Sequence, residues 1–174
     1  MSSGGGVIRL ETARLILCEW QLEDGPEFHA ISSDPEVIRY IDRGIPWPEE
    51  RSRRFVERQV ALFGERHYCL WKLLPKPGGP LIGFCGVQPL PDTDEIEIGW
   101  WLARAWWGQG LATEAARTAL RDAFERAAIT RIVAIAQPAN AVSIRIMQKL
   151  GMRSEGIVDH RGIPVALYAI SSKQ

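Results

Sequence analysis

The chain has 174 residues, near the usual size of one domain and long enough to bury a substantial core. Lysine plus arginine equals aspartate plus glutamate at 21 each, so no excess positive charge draws the chain to nucleic acid. Cys18, Cys69 and Cys85 lie far apart in apolar runs, and His29, His67 and His160 lack any paired spacing, which argues against a disulfide framework and against a metal centre.

Residues 1–7 are Ser/Gly-rich and without the apolar core of a secretion signal; they read as a disordered tail ahead of a single domain at 8–174. No stretch is apolar for long enough to span a bilayer, so a soluble, cytoplasmic protein is expected, without a membrane or nucleic-acid partner.

Leu15–Cys18 is a short β-type run, and Phe28 and Ile31 give helical spacing across 22–32. Asp34-Pro35 opens a second short helix, since Asp caps well and Pro suits the first helical position. Pro48-Glu49-Glu50 opens a third, with Phe55, Val56, Gln59, Val60 and Phe63 as its apolar stripe and Gly64 as its stop. Tyr68–Leu74 and Leu81–Leu90 read as an antiparallel strand pair around the loop Pro75–Pro80. From Glu95 to Trp101 charged and apolar residues alternate with period two, placing Glu95 and Glu97 on one face and Ile96 and Ile98 on the other.

Between Ala112 and Ala128 the apolar residues Ala115, Ala116, Ala119, Leu120, Ala123 and Phe124 form one helical stripe suited to packing flat on a sheet. Ile132–Ala136 is a buried strand by its β-branched content, Asn140 caps a helix ending at Lys149-Leu150-Gly151, and strands at 153–158 and 165–170 follow. Strands alternating with helices after a hairpin indicate a mixed α/β sheet.

The segment Trp106-Trp107-Gly108-Gln109-Gly110-Leu111-Ala112-Thr113-Glu114 joins a strand to an amphipathic helix. Its glycines let a ligand approach the main chain, and the helix start offers unpaired amides and a partial positive charge, which suits a phosphate or pyrophosphate. A P-loop would need Lys-Ser/Thr after the second glycine, and a dinucleotide fingerprint would need a third glycine at Thr113. Neither is present.

Read in order, Glu97-Ile98-Gly99-Trp100-Trp101-Leu102, the glycine turn through Ala115, Asn140-Ala141-Val142-Ser143-Ile144-Arg145 and Lys149-Leu150-Gly151-Met152 resemble the GNAT superfamily of acyl-coenzyme A N-acyltransferases. The likeness is greatest to its ribosomal-protein N-terminal acetyltransferase (Rim-type) branch, whose opening strand is similar to Glu11-Thr12-Ala13-Arg14-Leu15. The resemblance implies a mixed, mostly antiparallel sheet splayed between its fourth and fifth strands, with helices on both faces and acetyl-CoA in the gap. It also implies pyrophosphate on the amides of Gln109, Gly110, Leu111, Ala112 and Thr113, within a motif that Trp107 and Gly108 open, and the pantetheine arm paired to the backbone of Trp101 and Leu102. The superfamily pattern has Gln or Arg where Trp107 stands, and Trp is familiar there in the Rim-type branch. No metal is implied.

Glu97 is the candidate general base, since an amine must lose a proton before it attacks and an enclosed carboxylate is tuned upward by desolvation. Alternation alone would also make it a solvent-facing strand residue, and Glu95 on the same face is the second choice. In the family the Asn140 position binds CoA or fixes the neighbouring strand, and a Tyr seven positions later protonates the leaving thiolate. Met147 stands there and cannot donate, so Ser143 becomes the candidate acid as well as a cofactor contact. Trp47, Trp100, Trp101, Trp106 and Trp107 read mainly as core or wall, with Trp47 able to border an acceptor pocket. Arg145 and Lys149 read as solvated helix surface, with the cofactor's 3′-phosphate as the other possibility.

The implied activity is transfer of the acetyl group of acetyl-CoA to a primary amine, a protein N-terminus or a small molecule, by direct attack in a ternary complex. A non-catalytic acyl-CoA-binding or interaction module on the same fold is the alternative. A homodimer is the habit of the family.

Overall fold

The computed structural model describes residues 9–172; the expectation of a disordered tail at 1–7 lies outside them. The described chain forms strands β1 (Arg9–Glu11) and β2 (Leu15–Cys18) and helices α1 (Gly25–Ser32), α2 (Pro35–Ile38) and α3 (Glu49–Arg66). Strands β3 (Leu70–Pro75), β4 (Gly83–Pro89) and β5 (Ile96–Leu102) follow, then α4 (Leu111–Glu125), β6 (Arg131–Ala136), α5 (Ala141–Lys149), β7 (Arg153–His160) and β8 (Ile163–Ser171). The strands make one sheet in the order β1-β2-β3-β4-β5-β6-β8-β7.

Every adjacent pair in that sheet is antiparallel except β5 and β6, which run parallel and register at Glu97 opposite Val133 alone. Beyond that pair the two strands part. This is the splay expected between the fourth and fifth strands, shifted by one in number because β1 and β2 are separate strands. The opening strand expected at Glu11–Leu15 is broken: Thr12 accepts from the Arg14 and Leu15 amides through its side chain and turns the chain back as a tight hairpin.

Cross-strand register decides which side chains meet. Phe84 lies opposite Trp101, and Gln88 opposite Glu97, all on one face of the sheet. On that face Phe28 of α1 stacks on Phe55 of α3 at 4.6 Å between ring centroids, Phe55 meets Phe84 at 5.1 Å, and Trp47 abuts Trp101 at 4.9 Å. The other face carries α4, whose Ala115, Ala116, Ala119 and Ala123 are all buried. Methyl side chains let that helix lie close on β4 and β5. The helices therefore cover both faces.

α3 runs through Gly64, the expected stop, to Arg66, and ends on His67 in the left-handed region at φ 59°. A lone glycine lowers helix propensity by about 1 kcal/mol, too little to end a helix whose Phe55, Val56 and Gln59 are already buried in the core.

Candidate active site

The glycine turn leaves the first amides of α4 open. Gly108 and Gly110 both adopt left-handed φ, 72° and 75°, which L side chains rarely enter, and Gly110 is the N-cap of α4. No side chain caps the helix; Glu114 is the first residue whose amide bonds back, to the Gly110 carbonyl at 3.1 Å. The amides of Leu111, Ala112 and Thr113 are left with no acceptor from the turn itself. Trp107, 45% exposed, donates its indole N–H to the Leu102 carbonyl at 2.8 Å and so ties the turn to the end of β5.

The turn is also held from the N-terminal hairpin. Arg14 donates Nη1 to the Gln109 carbonyl at 2.8 Å and Nε to Glu114 at 2.8 Å, while Thr12 Oγ1 donates to the same carboxylate at 2.5 Å. Burial raises the Glu114 carboxyl, but hydrogen bonds from Thr12 and from the Arg14 amide and guanidinium outweigh it and hold the group below the usual carboxylate range. Behind the turn, Gly110, Thr113, Arg117, Arg121 and Lys149 line a groove of about 800 Å³. Lys149 shares that groove with Arg14, Arg117 and Arg121 and with Glu11 and Glu114; Arg145 is not among the lining residues.

The main chain of β5 offers a free edge where β6 departs. The Ala103 amide bonds the Ile82 carbonyl at 2.7 Å, which makes Leu102 and Gly83 a non-hydrogen-bonded pair and turns the N–H and C=O of Trp101 toward β4. A Cβ on Gly83 would lie 2.0 Å from the Trp101 carbonyl oxygen, in keeping with that direction. The backbone of Trp101, expected to pair with the cofactor, is therefore spent inside the sheet. The ladder turns the main chain of Trp100 and Leu102 outward instead, and the Leu102 carbonyl is already engaged by Trp107. Sequence alternation alone does not tell which parity faces the neighbour.

A cleft of about 790 Å³ opens at the splay, lined by Glu97, Trp100 and Trp101 of β5, Asn140, Ser143 and Met147 of α5, and Trp47 and Gln59 from the helical side. Glu97 is half-buried, not solvent-facing, because its strand face is covered by α1 and α3. Burial pushes its pKa up to about 7, against a hydrogen bond from Gln88 that favours the charged form. Glu95 precedes the strand and faces Arg131 at 3.2 Å, away from the cleft lining.

Asn140 accepts from the Ser143 amide at 3.2 Å, so its side-chain oxygen caps α5, while the Ser143 hydroxyl has no partner among the described residues. Met147 is buried on the same cleft wall. Trp47 serves both expected roles, being buried in the aromatic core and bordering the cleft. Its Nε1–H has no acceptor among the described residues.

Cys69 and Cys85 are buried with their thiols pushed well up by desolvation, and no group of three metal-ligating side chains comes together among the described residues. No helix among them is long and apolar enough to cross a membrane.

The cleft between diverging parallel strands, the uncapped glycine-led helix and the raised carboxylate together suit acyl-transfer chemistry. Residues 14–153 match the acetyltransferase (GNAT) domain family, and the chain belongs to it. It is 30% identical over 149 residues to the uncharacterized N-acetyltransferase YnaD of Bacillus subtilis strain 168, covering 86% of this chain and 85% of that one. Among solved structures, a GNAT-family acetyltransferase from Bacillus anthracis superposes with a TM-score of 0.79 at 28% identity, covering 94% of this chain and 98% of that one. The ribosomal-protein alpha-N-acetyltransferase RimL, solved with coenzyme A, has a TM-score of 0.79 at 17% identity, over 94% of this chain and 98% of its own, a likeness of fold.

The residues that sequence reasoning missed are Gln59, Gln88, Thr12 and Arg14. Gln59 carried a signal, a polar residue inside an apolar helical stripe, and Gln88 lay two residues before the end of a predicted strand.

Proposed function

We propose that this protein transfers the acetyl group of acetyl-CoA to the amine of an acceptor, with Glu97 as general base and without an acyl-enzyme. The observation that carries this reading is the Glu97 carboxyl, raised to about 7 and opening into the cleft where β5 and β6 part. A base poised near neutrality is half-deprotonated at working pH and strong enough to take a proton from an ammonium group.

The residues present suit the co-substrate. The amides of Gln109 to Thr113 would hold the pyrophosphate, since no side chain caps α4 there. The outward main chain of Trp100 and Leu102 would pair with the pantetheine arm, and the Trp100 amide would meet the oxyanion as the amine nitrogen attacks the thioester carbon. Glu97 receives the proton lost by the amine. As the C–S bond breaks, Ser143, whose hydroxyl is free beside Met147, would give a proton to the thiolate. No cysteine supports a covalent route, since Cys69 and Cys85 are buried with raised thiols and Cys18, on β2, is not among the residues lining the cleft.

The acceptor is a primary amine, a protein N-terminus or a small molecule; the fold likeness to RimL supports the first. Calorimetric titration with acetyl-CoA, followed by thiol-release assays on N-terminal peptides and pooled small amines, tests the reading. Binding with thiol release on one pool is expected. Binding without release on either would favour a non-catalytic acyl-CoA module, and absence of binding would remove the glycine turn from the site.

A further inference from the structure

Three amides stand in line behind Glu97. The backbone N–H of Leu70 on β3 donates to Gln59 Oε1 at 2.9 Å, Gln59 Nε2 donates to Gln88 Oε1 at 2.9 Å, and Gln88 Nε2 donates to Glu97 Oε1 at 2.8 Å. Gln59 is 2% exposed, one of the few buried polar residues of the core.

The direction of this chain follows from its first link. A backbone N–H can only donate, so the Gln59 oxygen must face Leu70 and its NH2 must face Gln88. Gln88 then receives at its oxygen and presents its own NH2 to Glu97. A fixed main-chain donor two side chains away thus determines that Glu97 meets a donor, and its Oε2 is left without a partner among the described residues.

We propose that Gln59 and Gln88 are positioning residues, which bind one oxygen of the Glu97 carboxylate and leave the other to the acceptor amine. The proposal rests on the reading of Glu97 as the base. Without the Gln88 bond the half-buried carboxylate would rotate, and burial alone would hold its proton to higher pH. One charge-assisted hydrogen bond counters part of the burial and keeps the group near neutrality. The charged and titratable residues that share the cleft are Tyr40, Asp42, Arg51, Arg58 and Glu65 on the helical side and His160 and Arg161 on the C-terminal hairpin. None of them enters as a cause of the Glu97 shift, Arg51 being paired with Asp42 and Arg161 with Asp92. The Gln88 amide is the one polar cause acting against burial.

The test is direct titration of Glu97 by carbon-detected NMR on protein labelled at the glutamate carboxyl, with E97Q assigning its resonance. In Q88M the midpoint should rise by about one pH unit, leaving about fivefold less carboxylate at pH 7. Q88M leaves the Leu70–Gln59 bond in place, so it separates the amide's effect from loss of folding. In Q59M the Gln88 amide remains but is free to flip, and a smaller rise is expected. Superimposable titrations of wild type and Q88M would overturn the proposal, as would a midpoint in Q59M above that of Q88M. Turnover of E97Q with acetyl-CoA and the amine pools distinguishes the two readings. Wild-type turnover in E97Q beside a raised midpoint in Q88M would remove Glu97 as base and leave the amide chain as its holder.

Discussion

Arg14 grips Glu114 across 100 residues of sequence, with Nε at 2.8 Å and Nη2 at 2.7 Å from the same carboxylate oxygen. Its third nitrogen reaches the Gln109 carbonyl at 2.8 Å, so one side chain neutralises the acidic residue in the first turn of α4 and steadies the glycine turn. An unpaired carboxylate at that place would repel phosphates held as proposed on the turn. Arg14→Leu is therefore expected to raise the calorimetric Kd for acetyl-CoA about tenfold. Adding Glu114→Gln to that variant should restore part of the affinity; no recovery would mean that the tether to Gln109, not the charge, matters.

Glu97→Gln should lower kcat/KM at pH 7.5 by about a hundredfold or more while leaving the Kd for acetyl-CoA close to wild type. In the wild type kcat/KM should fall on the acid side with a midpoint near 7, as burial of the carboxyl dictates. An acid limb near 4.5 with full activity at pH 6 would show that Glu97 is not the titrating base.

The same burial makes a stability prediction that needs no substrate. A carboxyl whose folded pKa is raised binds its proton more tightly in the native state, so its stabilising contribution is full below about 4.5 and is lost as pH rises through about 7. A change from 4.5 to about 7 corresponds to about 3 kcal/mol at most. Thermal unfolding of Glu97→Gln should match wild type near pH 5 and exceed it in Tm near pH 8. Equal pH dependence of the two proteins would refute the shift.

Ser143 can be truncated cleanly, because the cap of α5 uses its backbone amide and not its hydroxyl. Ser143→Ala should leave Tm unchanged within about 1 °C, since no packed or bonded group is lost. It should lower kcat by about tenfold if the hydroxyl protonates the thiolate. An unchanged kcat would assign that proton to water.

Much of the fold was legible because the signals are local. Period-two alternation at Glu95–Trp101, the alanine stripe of α4, the Asn140 cap and the C-terminal strand pair each appear where expected, within a few residues. The exceptions have physical causes. Gly64 reads as a stop by propensity, but packing of Phe55, Val56 and Gln59 carries α3 past it to Arg66. Thr12-Ala13-Arg14 reads as strand by resemblance, but the Thr12 hydroxyl captures two amides and makes a turn. Alternation does not tell that the Trp101 main chain turns toward β4 and that of Trp100 and Leu102 away from it, because hydrogen-bonding parity is set by the partner strand.

The sequence by itself determined the family, the order of strands and helices, the glycine turn that opens α4 and the presence of a carboxylate on the strand before it. These are properties of contiguous residues, where spacing and backbone freedom act within a few positions. Only the tertiary structure decided that Glu97 is enclosed while Glu95 pairs with Arg131, that Gln59 and Gln88 stand behind it, and that Arg14 answers Glu114. Those relationships join residues from separate elements, and burial, hydrogen-bond direction and charge compensation exist only once the sheet has brought them together.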